Sequence, residues 1–356
     1  MPFARYKGPR LERVLASPQQ HDGRFRNRSG LRGGVKGSSL PLVGEFFFGD
    51  AVRRPPGELP LVDPRPAWAR PVETGLRATW LGHSTVLLEI DGVRVLTDPV
   101  FGERASPLKH AGPRRFHPAP AGIADLPPLD VVVLSHDHYD HLCSASVVEL
   151  ARRGVPIVTA LGVGARLEGL GIPADLITEL DWGEHHEVRG LRVTATPAQH
   201  FSGRGFGDRN RTLWASWVLR TDRHRVFFSG DTGLCDDFRA IGAEHGPFDL
   251  TMLEIGAFHE KWGDIHLGPK NALTVFDMLG GGTLLPVHWG TFDLGLHSWN
   301  DPGEELLALA AAHGGRTLMP RLGEVFEPTR EVVFSPWWRE VRARVRRRLR
   351  EPAPQT

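Results

Sequence analysis

The residue types able to do chemistry in this chain are concentrated in one short loop. In Ser135-His136-Asp137-His138-Tyr139-Asp140-His141, three histidines and two aspartates fill five of six consecutive positions, in a chain with 17 histidines among 356 residues. Imidazole suits zinc or iron, and a carboxylate adds charge and tolerance for harder ions. The loop follows the apolar run Val131–Leu134, which reads as a buried strand able to deliver it rigidly. Alternate residues His136 and His138 then point the same way, toward one ion, and Asp140 and His141, past the turn, face a neighbouring one. A solvated polar loop is the alternative reading, and it leaves the density of histidines without a reason.

Such a cluster needs donors from elsewhere. Thr196-Pro197-Ala198-Gln199-His200 places a histidine just past a strand. Phe227-Phe228-Ser229-Gly230-Asp231-Thr232-Gly233 places a carboxylate after another, between glycines that permit close approach, and Leu285-Pro286-Val287-His288 repeats the pattern. Each is weak singly, because a histidine at a strand end is more often structural. Together His136, His138, Asp140, His141, His200, Asp231 and His288 make seven candidate metal ligands on one edge of a sheet sandwich.

The elements that must position them read as follows. Regular structure starts at Leu76, with a hairpin turning at Asp91-Gly92. After Val131–Leu134 comes a helix over Ser144–Arg153. Short strands follow at Pro156–Thr159, Leu176–Leu180, Leu191–Thr196, Thr212–Arg220, Arg225–Ser229, Leu250–Ile255 and Leu284–His288, with a helix over Pro269–Leu279. Strands mixed with helices, hairpins included, indicate an α/β (α+β) protein with mixed sheets. Residues 1–37 read as an extended or partly disordered arm that the apolar patch Leu42–Phe48 pins to the body, and residues 53–71, with six prolines, as a rigid linker. The expected organisation is a basic arm and linker over 1–72, a domain over 73–330 and a basic C-terminal helix or tail over 331–356.

In order along the chain, Thr79–Pro99 (TWLGHSTVLLEIDGVRVLTDP), FGERASP, SHDHYDHL, TPAQH, GDTG and VHWGTF resemble the metallo-β-lactamase superfamily. Within it they resemble the N-acylphosphatidylethanolamine-hydrolysing phospholipase D group and its bacterial relatives, and HDG-R-F-N at His21–Asn27 extends the likeness toward the N-terminus. The resemblance implies a four-layer αββα sandwich and two divalent ions, zinc first with manganese or iron as alternatives. It assigns His136, His138 and His200 to one ion, Asp140, His141 and His288 to the other, and Asp231 to both, with Asp98 supporting the site from behind. The expected activity is hydrolysis of a phosphodiester, N-acylphosphatidylethanolamine-type phospholipid included, by a metal-bridging hydroxide that Asp231 orients. Asp231, Asp140 and His266 are the expected catalytic residues, His266 bonding a phosphate oxygen or protonating the leaving group. His297 is a weaker candidate, and His83 reads as structural. A lactonase of a phosphorylated sugar acid and a non-catalytic metal-bearing scaffold are the competing readings.

Composition bounds the rest. Two cysteines, Cys143 and Cys235, exclude a disulfide scaffold and suggest a reducing, cytoplasmic compartment; no apolar run approaches the ~18 residues of a membrane span. The net charge of +1 hides basic ends: residues 1–37 hold nine Lys/Arg against Glu12 and Asp22, and residues 337–350 seven arginines against Glu340. Trp337, Val341, Val345 and Leu349 recur every four residues, an apolar stripe that either docks on the domain or lies on an anionic membrane at its inner face. A small-molecule or phospholipid substrate is expected, and no specific nucleic-acid partner.

Overall fold

Alternation over residues 76–97 becomes a meander of Leu76–Gly82, Thr85–Ile90 and Val93–Thr97, paired antiparallel with Ile90 opposite Val93. The expected tight turn falls on Asp91 and Gly92, whose φ angles of 49° and 88° suit a two-residue hairpin loop. The computed structural model describes residues 6–33, 45, 49–108, 110–205 and 207–341. Apart from Glu45, the patch Leu42–Phe48 lies outside the described residues, as do Val345 and Leu349.

Two seven-stranded sheets form the body. The first runs in the order Val325–Phe326, Leu76–Gly82, Thr85–Ile90, Val93–Thr97, Val131–Leu134, Ile157–Ala160 and Ile177–Leu180, antiparallel up to Val93–Thr97 and parallel beyond it. The second runs Arg316–Thr317, Thr283–Val287, Leu250–Glu254, Arg225–Phe228, Ser216–Arg220, Leu191–Thr196 and His185–Val188, parallel in its first half and antiparallel in its second. Central strands such as Leu76–Gly82, Val131–Leu134 and Thr283–Val287 are buried at every residue, so both faces of each sheet are covered. Helix Gly268–Met278 packs on Leu250–Glu254 and touches helices Asp237–His245 and Asp301–His313, while Gly164–Gly169 packs on Ile177–Leu180. The architecture is the four-layer αββα sandwich of mixed sheets.

Parallel strands deliver the chemistry. Their carboxyl ends run into Asp98, Ser135-His136, Asp231, Glu254 and His288, and sites in open parallel sheets form outside those ends.

Three of the stretches given an expected form take another one, and helices Gly164–Gly169, Asp237–His245 and Asp301–His313 and strand His185–Val188 add to the expected elements. Residues 212–215 are not part of the strand Ser216–Arg220: Leu213 N donates to Leu161 O (2.8 Å) and Ala215 N to Ser135 O (3.1 Å), so this buried apolar run crosses from the first sheet into the second. The segment expected to be an extended arm holds helix Gly8–Ala16 and the hairpin Gln20–His21 with Arg24–Phe25, with Val14 and Phe25 buried against the body. The proline-rich linker carries a helical turn at Arg65–Trp68, and the buried Trp68 indole donates to Thr79 Oγ1 at 2.9 Å.

At the other end Trp337, Trp338 and Val341 are buried; Trp289 meets Trp337 and Trp338 at ring separations of 5.4 and 5.3 Å. The beginning of the C-terminal stripe therefore docks on the domain. Among the described residues no helix is long and apolar enough to cross a membrane.

His117 is buried beside Arg115, with Nδ1 on Pro118 O (2.7 Å) and Nε2 near Thr291 Oγ1 (3.3 Å). Burial first, and then the Arg115 charge, push its pKa down to about 3. The unfolded chain, near the ordinary 6.5, takes up that proton first, so stability is full above pH 6.5 and is lost as pH falls toward 3. Between pH 7 and 5 the loss from this group is about 2 kcal/mol. Urea unfolding of His117→Gln at the two pH values is expected to show a pH dependence shallower than wild type by about that amount; identical slopes would count against it.

Candidate metal centre

Each donor owes its place to a strand end or a tight turn. His83 is the first residue of the two-residue loop joining Leu76–Gly82 to Thr85–Ile90, at φ 53°. His83, Asp98 (φ 32°) and His288 (φ 62°) all adopt left-handed backbone, which costs non-glycine residues about 1–3 kcal/mol each and is held here by surrounding bonds. His288 N, for one, donates to His83 O at 3.0 Å. The Asp231 loop lies so close to its neighbours that a Cβ on Gly233 would run into the Asp264 carbonyl.

Two donor groups result. His136 Nε2 and His200 Nε2 lie 2.8 and 3.3 Å from His138 Nδ1, and 3.8 and 3.6 Å from Asp231 Oδ2. In the second group His288 Nε2 and His141 Nε2 are 3.3 and 3.5 Å from Asp140 Oδ2, and 3.1 and 3.0 Å from Asp231 Oδ1. His136, His138, His200 and Asp231 bring their donor atoms within 4.8 Å of one another, and so do Asp140, His141 and His288 together with His83. All seven candidate ligands read from the sequence thus converge, and Asp231 turns one oxygen to each group. His83, read as structural, joins the second group with Nε2 3.0 Å from Asp140 Oδ2.

The donors suit cations. His141 Nε2, His288 Nε2 and Asp231 Oδ1 are buried side by side, yet none makes a directed hydrogen bond. Burial pushes the pKa values of His136 and His200 well down, giving the neutral imidazole that a metal needs. At His288 burial also pulls down, but the Asp231 charge and its neighbours outweigh it and lift the pKa to about 10; His141 is likewise held well above its ordinary value by Asp231, Asp140 and Asp98. A positive charge is wanted at that place, and either a proton or a metal ion satisfies it.

Behind the donors lies a second set of bonds. Asp98 Oδ2 accepts from His141 Nδ1 and from Ser135 Oγ, both at 2.6 Å, and Asp98 Oδ1 from Ser135 N at 2.7 Å. This fixes the His141 ring with Nε2 facing inward. Asp98→Asn is expected to weaken metal binding by about tenfold to a hundredfold in chelator competition, and an unchanged affinity would remove the support role.

Asp137 goes elsewhere: it pairs with Arg166 at 3.0 Å and accepts Gly203 N at 2.8 Å. The Tyr139 hydroxyl donates to Arg204 O at 3.0 Å, with the Arg204 guanidinium 3.8 Å over its ring. His266 stands at the rim, half-buried, its ring 5.1 Å from that of His200 and 5.3 Å from that of His288. His297 lies apart from the donor groups and ties loops together, accepting Ala257 N (3.0 Å) at Nε2 and giving Nδ1–H to Ser298 O (2.9 Å). Cys143 and Cys235 are free and half-buried.

Sequence reasoning missed Glu254. Fully buried, it takes His266 Nδ1 (2.6 Å) on Oε2 and Thr232 N (2.7 Å) on Oε1, joining Asp231, His266 and His288 in a third donor group. The signal was present: a carboxylate ends the apolar strand Leu250–Glu254, as Asp98 and Asp231 follow theirs.

This fold with this donor set defines a metal-dependent hydrolase. Residues 93–289 match the family described as Beta-lactamase superfamily domain, and the chain belongs to that superfamily. An uncharacterised protein of Mycobacterium tuberculosis is 48% identical over 303 residues, covering 84% of this chain and 80% of its own. The N-acyl-phosphatidylethanolamine-hydrolyzing phospholipase D 1 of Caenorhabditis elegans is 40% identical over 253 residues, 67% of this chain and 71% of its own. Among solved structures, the isothiocyanate hydrolase from Delia radicum gut bacteria is 25% identical with a TM-score of 0.57, covering 70% of this chain and 98% of that one.

Proposed function

We propose that this hydrolase is a phosphodiesterase that holds two divalent ions, zinc first, and acts on phospholipids of the N-acylphosphatidylethanolamine type. The observation carrying the two-ion reading is the split of Asp231, with Oδ2 toward His136 and His200 and Oδ1 toward His141 and His288. The likeness to the C. elegans phospholipase D supports the substrate class.

Such ions, when bound, activate water as a nucleophile near neutral pH and neutralise charge on phosphoryl oxygens. The protein does the rest. His136, His138 and His200 hold one position, Asp140, His141 and His288 the other, and Asp231 fixes the spacing between them. Burial of nearly every donor keeps competing water out. His266, held at Nδ1 by Glu254, gives a proton from Nε2 to the leaving oxygen and is reprotonated from solvent. A cavity of about 610 Å³ reaches the metal loop at Tyr139, though none of the seven donors lines it; Leu108, Leu142 and Leu170 on its walls and Arg104 and Arg204 among its polar groups suit a lipid-like ligand.

Metal analysis combined with a substrate screen tests the reading. About two ions per chain, and cleavage of both bis-p-nitrophenyl phosphate and vesicle-borne N-acylphosphatidylethanolamine at the phosphodiester, are the expected results. A single ion, or turnover of lactones alone, would overturn it. Contact of the basic ends with an anionic membrane belongs to the same proposal; pelleting with anionic vesicles that weakens with salt and on removal of residues 342–356 is expected.

A further inference from the structure

The HDG-R-F-N stretch at His21–Asn27 has no part in the chemistry described above, and it lies outside the matched residues 93–289. The structure gives it one. The hairpin ending at Phe25 is tied down by Phe25 N to Asn210 O (2.7 Å) and Arg26 N to Gln19 O (2.9 Å), and a turn follows in which Gly30 N donates to Asn27 O (2.9 Å). Asn27, 6% exposed, is thereby pushed into the body, 173 residues away in sequence from the candidate ligand His200.

There its carboxamide lies against the His200 backbone as a neighbouring strand would. Asn27 Nδ2 donates to His200 O at 2.8 Å, and Asn27 Oδ1 accepts from His200 N at 3.0 Å. Its second N–H goes to Leu31 O (2.9 Å), and its oxygen takes a second bond from Trp214 Nε1 (3.1 Å), so both donors and both acceptor sites of the amide are used. His200 needs this partner because it lies beyond the end of strand Leu191–Thr196, where no sheet neighbour meets its N–H and C=O, and it is buried. Its ring is set separately, through Nδ1 and Ile265 O at 2.9 Å. The next turn repeats the device more lightly: Ser29 Oγ donates to Gln199 Oε1 at 2.6 Å.

We infer that Asn27 is a positioning residue for the metal centre: it fixes the His200 backbone so that Nε2 lands among His136, His138 and Asp231. The N-terminal segment is then part of the site. This rests on the donor groups being a metal site, which the test separates from the role of Asn27 itself.

The test is cobalt titration of metal-free full-length protein, read by the visible absorption of the bound ion, with thermal midpoints alongside. Asn27→Ala is expected to bind cobalt about tenfold to a hundredfold more weakly and with an altered band, as outer bonds to ligating residues generally require. Phe25→Leu is the comparator: it loosens the same hairpin, where Phe25 is fully buried, but leaves the amide in place. It is expected to lower the thermal midpoint while keeping the wild-type affinity and band. Should Asn27→Ala not fold, Asn27→Ser, which keeps one small polar group there, is expected to weaken cobalt in the same direction. Wild-type affinity and band in the folded Asn27 variant, or equal weakening by Phe25→Leu, would overturn the role of Asn27. A wild-type chain that takes up no cobalt would overturn the metal site, and this inference with it.

Discussion

Asparagine in place of Asp231 is expected to cut turnover of bis-p-nitrophenyl phosphate by about a thousandfold or more, which is about 4 kcal/mol of barrier. The geometry gives the reason. Oδ1 stands 3.0 Å from His141 Nε2 and 3.1 Å from His288 Nε2, while Oδ2 faces His200 Nε2 at 3.6 Å and His136 Nε2 at 3.8 Å. Asparagine keeps the size but removes the charge and must turn an NH2 toward one of the two groups, where a cation belongs. One position is then lost or displaced. Asp137→Asn is the matching control, because that carboxylate, in the same loop as the donors, pairs with Arg166 and faces away from them. Turnover of Asp231→Asn within tenfold of wild type would end the bridging role, and equal losses in the two variants would mean that the loop, not the bridge, had failed.

How much of this was legible beforehand follows from what each signal depends on. The donors could be read because strand-end histidines and aspartates after apolar runs are local features, and Val131–Leu134 and Leu191–Thr196 fall where their runs place them. Glu254 escaped because one carboxylate closing an apolar strand reads as a solvated end; only the pairing with His266 and Thr232 gives it meaning. Residues 212–215 look like strand because they are apolar and buried, but their N–H groups reach strand ends of the opposite sheet, which no local pattern records. Asn27 is the extreme case: one polar residue among several in a glycine- and arginine-rich stretch, joined to His200 solely by the fold.

The uneven charge has a similar explanation. Read along the chain, a basic arm on an acidic body suggests an anionic partner outside the protein. In the fold part of that charge is met by the body itself: Arg10 pairs with Glu168 and Glu179, Arg13 with Glu184, and Arg28 with Asp237. Arg339 near the other end pairs with Glu304. The exposed pairs among these, such as Arg13–Glu184 and Arg339–Glu304, contribute about 0–1 kcal/mol each, so their effect is to place the ends more than to stabilise the domain, while Arg10–Glu179 is largely buried.

Removing the ions is expected to abolish turnover, and adding a divalent ion back to restore it, with a signature in protons that separates a metal centre from a merely polar one. Without metal, His288 has its pKa lifted to about 10 and His141 is held well above its ordinary value, both against the pull of burial, by Asp231, Asp140 and their neighbours. His288 therefore carries a proton at pH 7, and an ion entering its group must displace it. The sign follows: metal affinity rises with pH in this range, by about tenfold per unit for each proton displaced, and falls as the solution is acidified. Adding zinc to metal-free protein in weak buffer with an indicator dye is expected to release at least one proton per chain. The same addition stabilises the fold by about 4 kcal/mol at a thousandfold excess of ion over its dissociation constant, readable as a rise in urea midpoint. Zinc that binds with no proton release would mean that the ion sits somewhere other than between His141, His288 and Asp231.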